Sequence, residues 1–138
     1  MAQIAIGTKG RSQTIVDDTN STRFLGLEDA RVLSTPQMIL LMEKTCRDTV
    51  LPLLDPGFDT VGTHVDVAHL AGAPLGSRVT VDVEVIAVNE RRIEFRVEAA
   101  TEQEKVGEGT HQRTQINVAK FAAKQAAKKL ATEPPVKT

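Results

Sequence analysis

Hydrophobic positions recur with two different periods along the 138-residue chain. Over residues 37–53 they follow the three-and-four spacing of a helix, and they cover more than one helical face. Thr35 and Pro36 predict where this helix begins, with Thr35 as its N-cap, and Pro52 predicts its end. The pattern therefore predicts one long helix in the protein interior.

Beyond this helix the hydrophobic period changes to two, which is typical of strands. The alternating segments 77–88 and 92–100 flank the turn Asn89-Glu90 and predict a hairpin with one buried and one wet face. The other expected strands are residues 11–16, 60–70 and 105–118, and the remaining expected elements are a helical turn at 22–25, a loop at 27–33 and a terminal helix at about 119–130.

This order of elements predicts an α+β fold in which a curved antiparallel sheet wraps around one long central helix. The length fits a single domain, residues 1–131, followed by a polar tail, residues 132–138. An open sheet has exposed edges, and pairing them with a second subunit is a common remedy. We therefore expect a homodimer.

The composition restricts the classes of partner. Seventeen basic and eighteen acidic residues leave a net charge of −1, so neither nucleic acid nor an anionic membrane is an expected partner. Cys46 is the single cysteine, which excludes an intrachain disulfide and favours a reducing compartment. Because no apolar run is long enough for a membrane span, the sequence predicts a cytoplasmic protein.

Glu43 is the most informative acidic residue. A helical wheel places Glu43, Cys46 and Val50 within about 40° of Ile39. Glu43 is therefore in the middle of the apolar stripe, and we expect it to be buried. Burial of an ionised carboxylate is costly unless the group is paired or its pKa rises. From the pattern alone, a catalytic and a purely structural Glu43 are equally well supported. Cys46 in the same stripe is expected to be inert.

His69 shares one face of the predicted strand 60–70 with Thr63 and two valines, which mark that face as the core side. It is either a proton carrier or a hydrogen-bonded core histidine. His64 lies on the opposite face and is expected at the surface or at a subunit interface. His111 is open to both interpretations.

Two further residues have a simple structural interpretation beside a functional one. Thr35 is either only a helix cap or a group that assists an oxyanion at the positive end of the helix dipole. Gly62 could let backbone N–H groups approach a ligand, although one glycine in a strand is weak evidence. No histidine or cysteine spacing predicts a metal site.

Three motifs together carry a resemblance that covers nearly the whole chain: Leu33-Ser34-Thr35-Pro36 leading to Glu43, Gly62-Thr63-His64-Val65-Asp66-Val67-Ala68-His69, and Gly107-Glu108-Gly109-Thr110-His111-Gln112-Arg113. In this order and spacing the chain resembles the hotdog-fold thioesterases related to the fluoroacetyl-coenzyme-A thioesterase. The resemblance implies a hotdog fold, and hydrolysis of an acyl-coenzyme-A (acyl-CoA) thioester to the free acid and CoA. It implies no cofactor other than the CoA of the substrate.

The resemblance also implies roles for individual residues. Thr35, Glu43 and His69 match the catalytic residues, while Gly62, with Thr63 beside it, and Arg113 match substrate-binding positions. The segment 29–33 departs from the specialised fluoroacetyl enzyme because it has no aromatic residue where that enzyme has a phenylalanine gate. We therefore expect a broader or different acyl group.

Several alternatives remain open at this point. Glu43 is either a nucleophile or a general base, and the sequence does not separate the two. A non-catalytic acyl-CoA sensor on the same fold is a second hypothesis, and an enoyl-CoA hydratase or dehydratase is a third.

Overall fold

The structure, a computed structural model, describes residues 2–131, so the predicted polar tail lies outside the described residues. Its regular elements, in chain order, are β1 (Lys9–Ile15), α1 (Thr35–Val50), β2 (Phe58–His69), β3 (Arg78–Asn89), β4 (Arg92–Ala100), β5 (Lys105–Asn117) and α2 (Val118–Ala131). Short 3₁₀ turns occupy Phe24–Gly26, Glu28–Ala30 and Leu51–Leu53. Each predicted strand and helix is present, with ends that shift by no more than a few residues.

The five strands form one antiparallel sheet in the order β1-β3-β4-β5-β2, and α1 packs across one face of it. The alternating valines of β3 and the apolar side of β4 supply the sheet's half of the core, as the period of two predicts. β1 and β2 are the edges. The α+β architecture of a sheet around one long helix is therefore confirmed.

The beginning of α1 differs from the prediction by one residue. Ser34 has an extended backbone and its Oγ accepts a hydrogen bond from the Gln37 N–H at 3.4 Å, so Ser34 is the N-cap and Thr35 is the first helical residue. The prediction of Thr35 as N-cap is wrong. The Thr35 hydroxyl is consequently available to another partner.

The buried face of α1 also differs from the predicted stripe. Its buried members are Met38, Met42, Thr45, Cys46 and Val50. Glu43 lies beside this stripe, on the side facing β2, and its side chain keeps 38% of its exposure. The prediction of a buried Glu43 in the middle of the apolar stripe is therefore wrong, because the helix is rotated relative to the wheel that the apolar residues suggested.

A bulge in β2 changes which residues face the helix. Gly62 pairs with Arg113 and His64 pairs with Gln112, so Thr63 is an extra residue between two consecutive pairs. A bulge shifts the alternation of a strand by one position. Gly62 therefore faces the helix together with His69, although strict alternation would place it with His64.

Candidate active site

Arg113 is the buried centre of the site. Its side chain is only 6% exposed, and β5 directs it toward the helix side of the sheet. Nε donates a hydrogen bond to Thr60 Oγ1 at 2.7 Å, and Nη2 donates to the Thr60 carbonyl oxygen at 2.9 Å. Burial lowers the pKa of Arg113, and the nearby Glu43 carboxylate opposes that effect. The guanidinium remains charged at physiological pH, because arginine titrates far above it.

His111 provides the third hydrogen-bond acceptor of this guanidinium. Its Nε2 lies 3.1 Å from Arg113 Nη1, and its Nδ1 lies 2.8 Å from the carbonyl oxygen of His64. Because a guanidinium can only donate, Nε2 must accept and the ring proton must be on Nδ1. Burial is the main cause that lowers the pKa of His111, which keeps the imidazole neutral.

Glu43 and Gly62 form the exposed side of the same cluster. Glu43 Oε2 lies 3.8 Å from Arg113 Nη1. A Cβ atom on Gly62 would lie 3.3 Å from Glu43 Oε2, 3.2 Å from His111 Cε1 and 3.4 Å from Arg113 Nη1. The absence of a side chain therefore leaves the Gly62 backbone open directly beside the carboxylate. We name these four residues, Glu43, Gly62, His111 and Arg113, the carboxylate cluster.

Thr35 and His69 form a second group at the other end of β2. Thr35 Oγ1 and His69 Nδ1 are 2.6 Å apart, a hydrogen bond whose direction depends on the tautomer. His69 Nε2 is buried and has no hydrogen-bond partner among the described residues. The prediction that His69 faces the core side of the sheet agrees with this contact to the helix.

A cavity of about 360 Å³ adjoins this pair. Its lining consists of Thr22, Phe24, Val32, Leu33, Thr35, His69, Leu70, Ala71 and Gly72. Residues 29–33 contain no aromatic side chain, but Phe24 reaches the cavity from further upstream. Sequence reasoning missed Phe24, and the signal that could have found it is the apolar group Phe24, Leu25 and Leu27 in a turn-prone segment. All three side chains are exposed in the structure.

The two groups are separate within one chain. Thr35 and Glu43 are eight residues apart on α1, which corresponds to about 12 Å along the helix axis. The structure therefore brings Thr35 to His69, and Glu43 to Gly62 and Arg113, but it does not unite the predicted trio in a single copy. Thr63 is the bulge residue, and its hydroxyl donates to the Gln112 carbonyl oxygen at 3.2 Å.

Cys46 lies next to the carboxylate cluster and takes no part in it. The thiol is buried, and desolvation raises its pKa to about 12, so it is not a thiolate at physiological pH. This burial supports the prediction of an inert Cys46. Among residues 2–131 no group of three or more histidine, cysteine, aspartate or glutamate side chains is arranged to hold a metal ion. In the same part of the chain, no helix is long and apolar enough to cross a membrane.

Comparison with known proteins identifies the family. The model of the fluoroacetyl-CoA-specific thioesterases matches residues 16–119. The fluoroacetyl-CoA thioesterase of Streptantibioticus cattleyicolor is 40% identical over 97 residues, which are 70% of each chain. The chain belongs to the fluoroacetyl-CoA-specific thioesterase family. The predicted family, and with it the prediction of a thioesterase enzyme, is confirmed.

Solved structures of relatives confirm the hotdog fold. A fluoroacetyl-CoA thioesterase aligns with a TM-score of 0.80 and 32% identity, over 96% of this chain and 99% of its own. A Thermus thermophilus member of the thioesterase superfamily aligns with a TM-score of 0.87 and 31% identity, over 96% of this chain and 98% of its own. One variant of the fluoroacetyl-CoA thioesterase has been solved in complex with fluoroacetate and CoA.

Proposed function

We propose that this thioesterase hydrolyses an acyl-CoA thioester to the free acid and CoA, with Glu43 as its central catalytic group. The observation that carries the proposal is the position of the Glu43 carboxylate. It is half-exposed, 3.8 Å from a buried guanidinium, and beside the bare backbone of Gly62. A carboxylate in such a place can reach a bound carbonyl group, which a fully buried one could not do.

The reaction needs one new carbon–oxygen bond and the loss of one carbon–sulfur bond. Glu43 either takes a proton from a water that attacks the thioester carbonyl, or attacks the carbonyl itself and is released by water afterwards. The backbone N–H groups near Gly62 are suited to stabilising the oxyanion of the tetrahedral intermediate. The family resemblance implies that Arg113 lies near the bound substrate, and its 3.8 Å contact with Glu43 lets it hold the carboxylate there. Thr63 extends the substrate-binding surface.

His69 and Thr35 supply the proton for the leaving group in this proposal. When the Thr35 hydroxyl donates to His69 Nδ1, the proton of the ring is on Nε2. Nε2 has no other partner among the described residues, and in this proposal it gives its proton to the departing CoA thiolate. Thr35 fixes the tautomer and orientation of the ring. Water is the co-substrate, so no cofactor is needed, and treatment with a metal chelator should leave turnover unchanged.

A second copy of the chain would unite the two groups. Residues 62–68 form most of an exposed edge of β2, and Val65 is 39% exposed although it faces the helix side. Exposed strand edges pair readily with another strand. If two β2 strands pair antiparallel about a twofold axis midway between Gly62 and His69, then Gly62 of one copy lies opposite His69 of the other. We therefore propose a homodimer with shared sites.

The first test is the substitution Glu43→Gln, assayed by release of free thiol from short, branched and aromatic acyl-CoA esters. We expect turnover to fall by about 10²-fold or more, the scale of a lost general base. Glu102→Gln in the exposed turn before β5 is the matched control and should retain full activity. Unchanged turnover in a folded Glu43→Gln protein would exclude the assignment. Tight binding of acyl-CoA by the unaltered protein without thiol release would instead favour the sensor.

The second test asks whether the sites are shared. Co-expressed Glu43→Gln and His69→Ala chains, purified as a hybrid dimer by two tags, contain one intact site if each site takes Glu43 and His69 from different copies. Such a hybrid should show about half of the wild-type activity, since an isologous dimer has two equivalent sites. A hybrid of Thr35→Ala and His69→Ala has no intact site and is the negative control. No recovery in the first hybrid would refute the shared site.

The acyl group and the compartment complete the proposal. The absence of an aromatic side chain in residues 29–33 favours an acyl group other than, or broader than, fluoroacetyl. The cavity beside Thr35 and His69 is lined mainly by apolar side chains, including Phe24 and Leu70. The thiol-release assay across the ester panel tests this preference.

The chain's one cysteine is a buried free thiol, which supports a reducing compartment such as the cytoplasm.

A further inference from the structure

We propose that His111 is a positioning residue for this reaction: as a neutral imidazole it holds the Arg113 guanidinium toward Glu43. The inference rests on the proposed role of Glu43 and adds a residue to which neither the sequence pattern nor the family comparison gives a role. Arg113 is nearly buried, and each of its contacts has a fixed direction.

The contacts of Arg113 divide into two sets. Thr60 receives hydrogen bonds from Nε and Nη2, which hold one edge of the guanidinium. The remaining nitrogen, Nη1, is shared between His111 Nε2 at 3.1 Å and Glu43 Oε2 at 3.8 Å. His111 is itself anchored, because its Nδ1 donates to the His64 carbonyl oxygen and its ring stacks on Phe95 at a centroid distance of 6.4 Å. The orientation of Nη1 therefore depends on an acceptor at His111.

Protonation of His111 would remove that acceptor. Nε2 would then carry a hydrogen directed at the hydrogens of Arg113 Nη1, and two positive groups would face each other at 3.1 Å. Arg113 could move away only by giving up its hydrogen bonds to Thr60. The repulsion would therefore displace either the imidazole or the guanidinium, and both movements change the environment of Glu43.

The groups that face His111 determine the pH at which it becomes protonated. Burial and the positive charge of Arg113 lower its pKa, and the His64 ring adds a smaller effect in the same direction. The hydrogen bond to the His64 carbonyl and the negative charge of Glu43, from α1, raise it, but burial is the largest cause. Phe95 on β4 is uncharged. His111 consequently stays neutral down to pH values below the ordinary histidine pKa of 6.5.

Two substitutions separate the two hydrogen bonds of His111. In His111→Gln the side-chain oxygen can still accept from Arg113, whereas in His111→Asn the shorter amide can reach only the His64 carbonyl, and neither side chain titrates. We expect His111→Gln to keep kcat at pH 8 within about threefold of wild type. We expect His111→Asn to lose about tenfold in kcat with little change in KM, the scale of one lost hydrogen bond. Gln112→Ala, whose side chain lies on the opposite face of β5, is the matched control.

The pH dependence of kcat distinguishes a positioning role of His111 from a merely structural one, which would leave that dependence unchanged. The acid limb of the wild-type kcat profile should include the protonation of His111, and this contribution should be absent from the profile of His111→Gln. The double variant of His111→Asn with Glu43→Gln should lose no more activity than Glu43→Gln alone, because the effect acts through the carboxylate. Loss of the same factor in both backgrounds would overturn the proposal even if Glu43 is catalytic.

A measurement on the unaltered protein tests the same idea without relying on the folding of a variant. Nitrogen-15 NMR of the histidine rings at neutral pH should show His111 with its proton on Nδ1, the tautomer that leaves Nε2 free to accept. A proton on Nε2, or a charged ring at neutral pH, would overturn the proposal. Failure of Glu43→Gln to reduce turnover would instead refute the proposed function, so the two failures are distinguishable.

Discussion

Replacing Thr60 by valine removes one acceptor from beneath Arg113 and leaves the volume of the side chain nearly unchanged. Thr60 Oγ1 accepts the Arg113 Nε–H at 2.7 Å, and both residues are buried. The Thr60 carbonyl oxygen keeps its hydrogen bond from Nη2, so the guanidinium loses one of its two anchors on this residue. A hydrogen bond to a charged group contributes about 1.5–3 kcal/mol, and its loss here leaves a buried charged donor unsatisfied. We expect the free energy of unfolding to fall by about 2–3 kcal/mol.

Urea denaturation at pH 8 measures this loss, and a thermal melt should show a midpoint lower by roughly 10 °C for a chain of this size. All variants must be compared at one protein concentration, because the stability of the proposed dimer would depend on it. Thr60→Ser keeps the hydroxyl and is the control, with an expected loss of about 1 kcal/mol from the deleted methyl group. The reasoning is refuted if Thr60→Val is as stable as the wild type within about 0.5 kcal/mol. Equal losses in the valine and serine variants would also contradict it, because the hydroxyl would then contribute nothing.

Three further predictions concern other parts of the molecule. Gly10→Ala places a Cβ on the side chain of Thr49 where β1 crosses α1, and should cost about 1–3 kcal/mol in urea denaturation, part of which Thr49→Ala restores. Arg31→Lys loses the planar contacts that tie residues 18–31 together, so limited proteolysis should cut that segment faster than in the wild type. Cys46, with a pKa of about 12, should react with a thiol reagent at pH 8 only as fast as the protein unfolds, and rapid labelling of the native protein would contradict its burial.

The hairpin of β3 and β4 shows what the sequence determines well. The predicted strand 92–100 matches β4 residue for residue, and β3 differs by one position at each end. Both strands alternate cleanly because one face is buried and the other is wet, and their connection is a local turn. Neither feature depends on residues far away in the chain, so the alternation of apolar and polar residues alone is sufficient to predict the two strands.

The cap of α1 was harder to predict because two adjacent residues are both good caps. Ser34 takes the role through contacts outside the helix. Its N–H donates to the Asn20 carbonyl oxygen, and Leu33 before it donates to Ala73, which holds this segment extended. The sequence around Thr35 and Pro36 contains no sign of these distant partners. The consequence reaches the site, since the Thr35 hydroxyl is directed to His69 instead of to the helix.

The face of Gly62 is a similar case. Alternation predicted that Thr63, Val65, Val67 and His69 share the core side, and this placed Gly62 on the other face. The bulge at Thr63 shifts the strand by one residue and turns Gly62 toward the helix. A bulge of this kind is set by the pairing of β2 with β5, which no local pattern in β2 reveals. A single glycine in a strand was weak evidence that the Gly62 backbone approaches a ligand, and the resemblance to the thioesterases added to it.

The exposure of Glu43 changes which charged group of the site must be stabilised in the protein interior. The expected difficulty was a buried carboxylate, but in the structure the buried charge belongs to Arg113. A buried cation must have its donors satisfied, and Thr60 and His111 do this from the sheet. Glu43 can then stay near the surface, within reach of a thioester, and still have a fixed positive charge on one side. The same arrangement leaves Glu43 far from Thr35 and His69 of its own chain, so a second copy at the β2 edge is the simplest way to complete the proposed catalytic set.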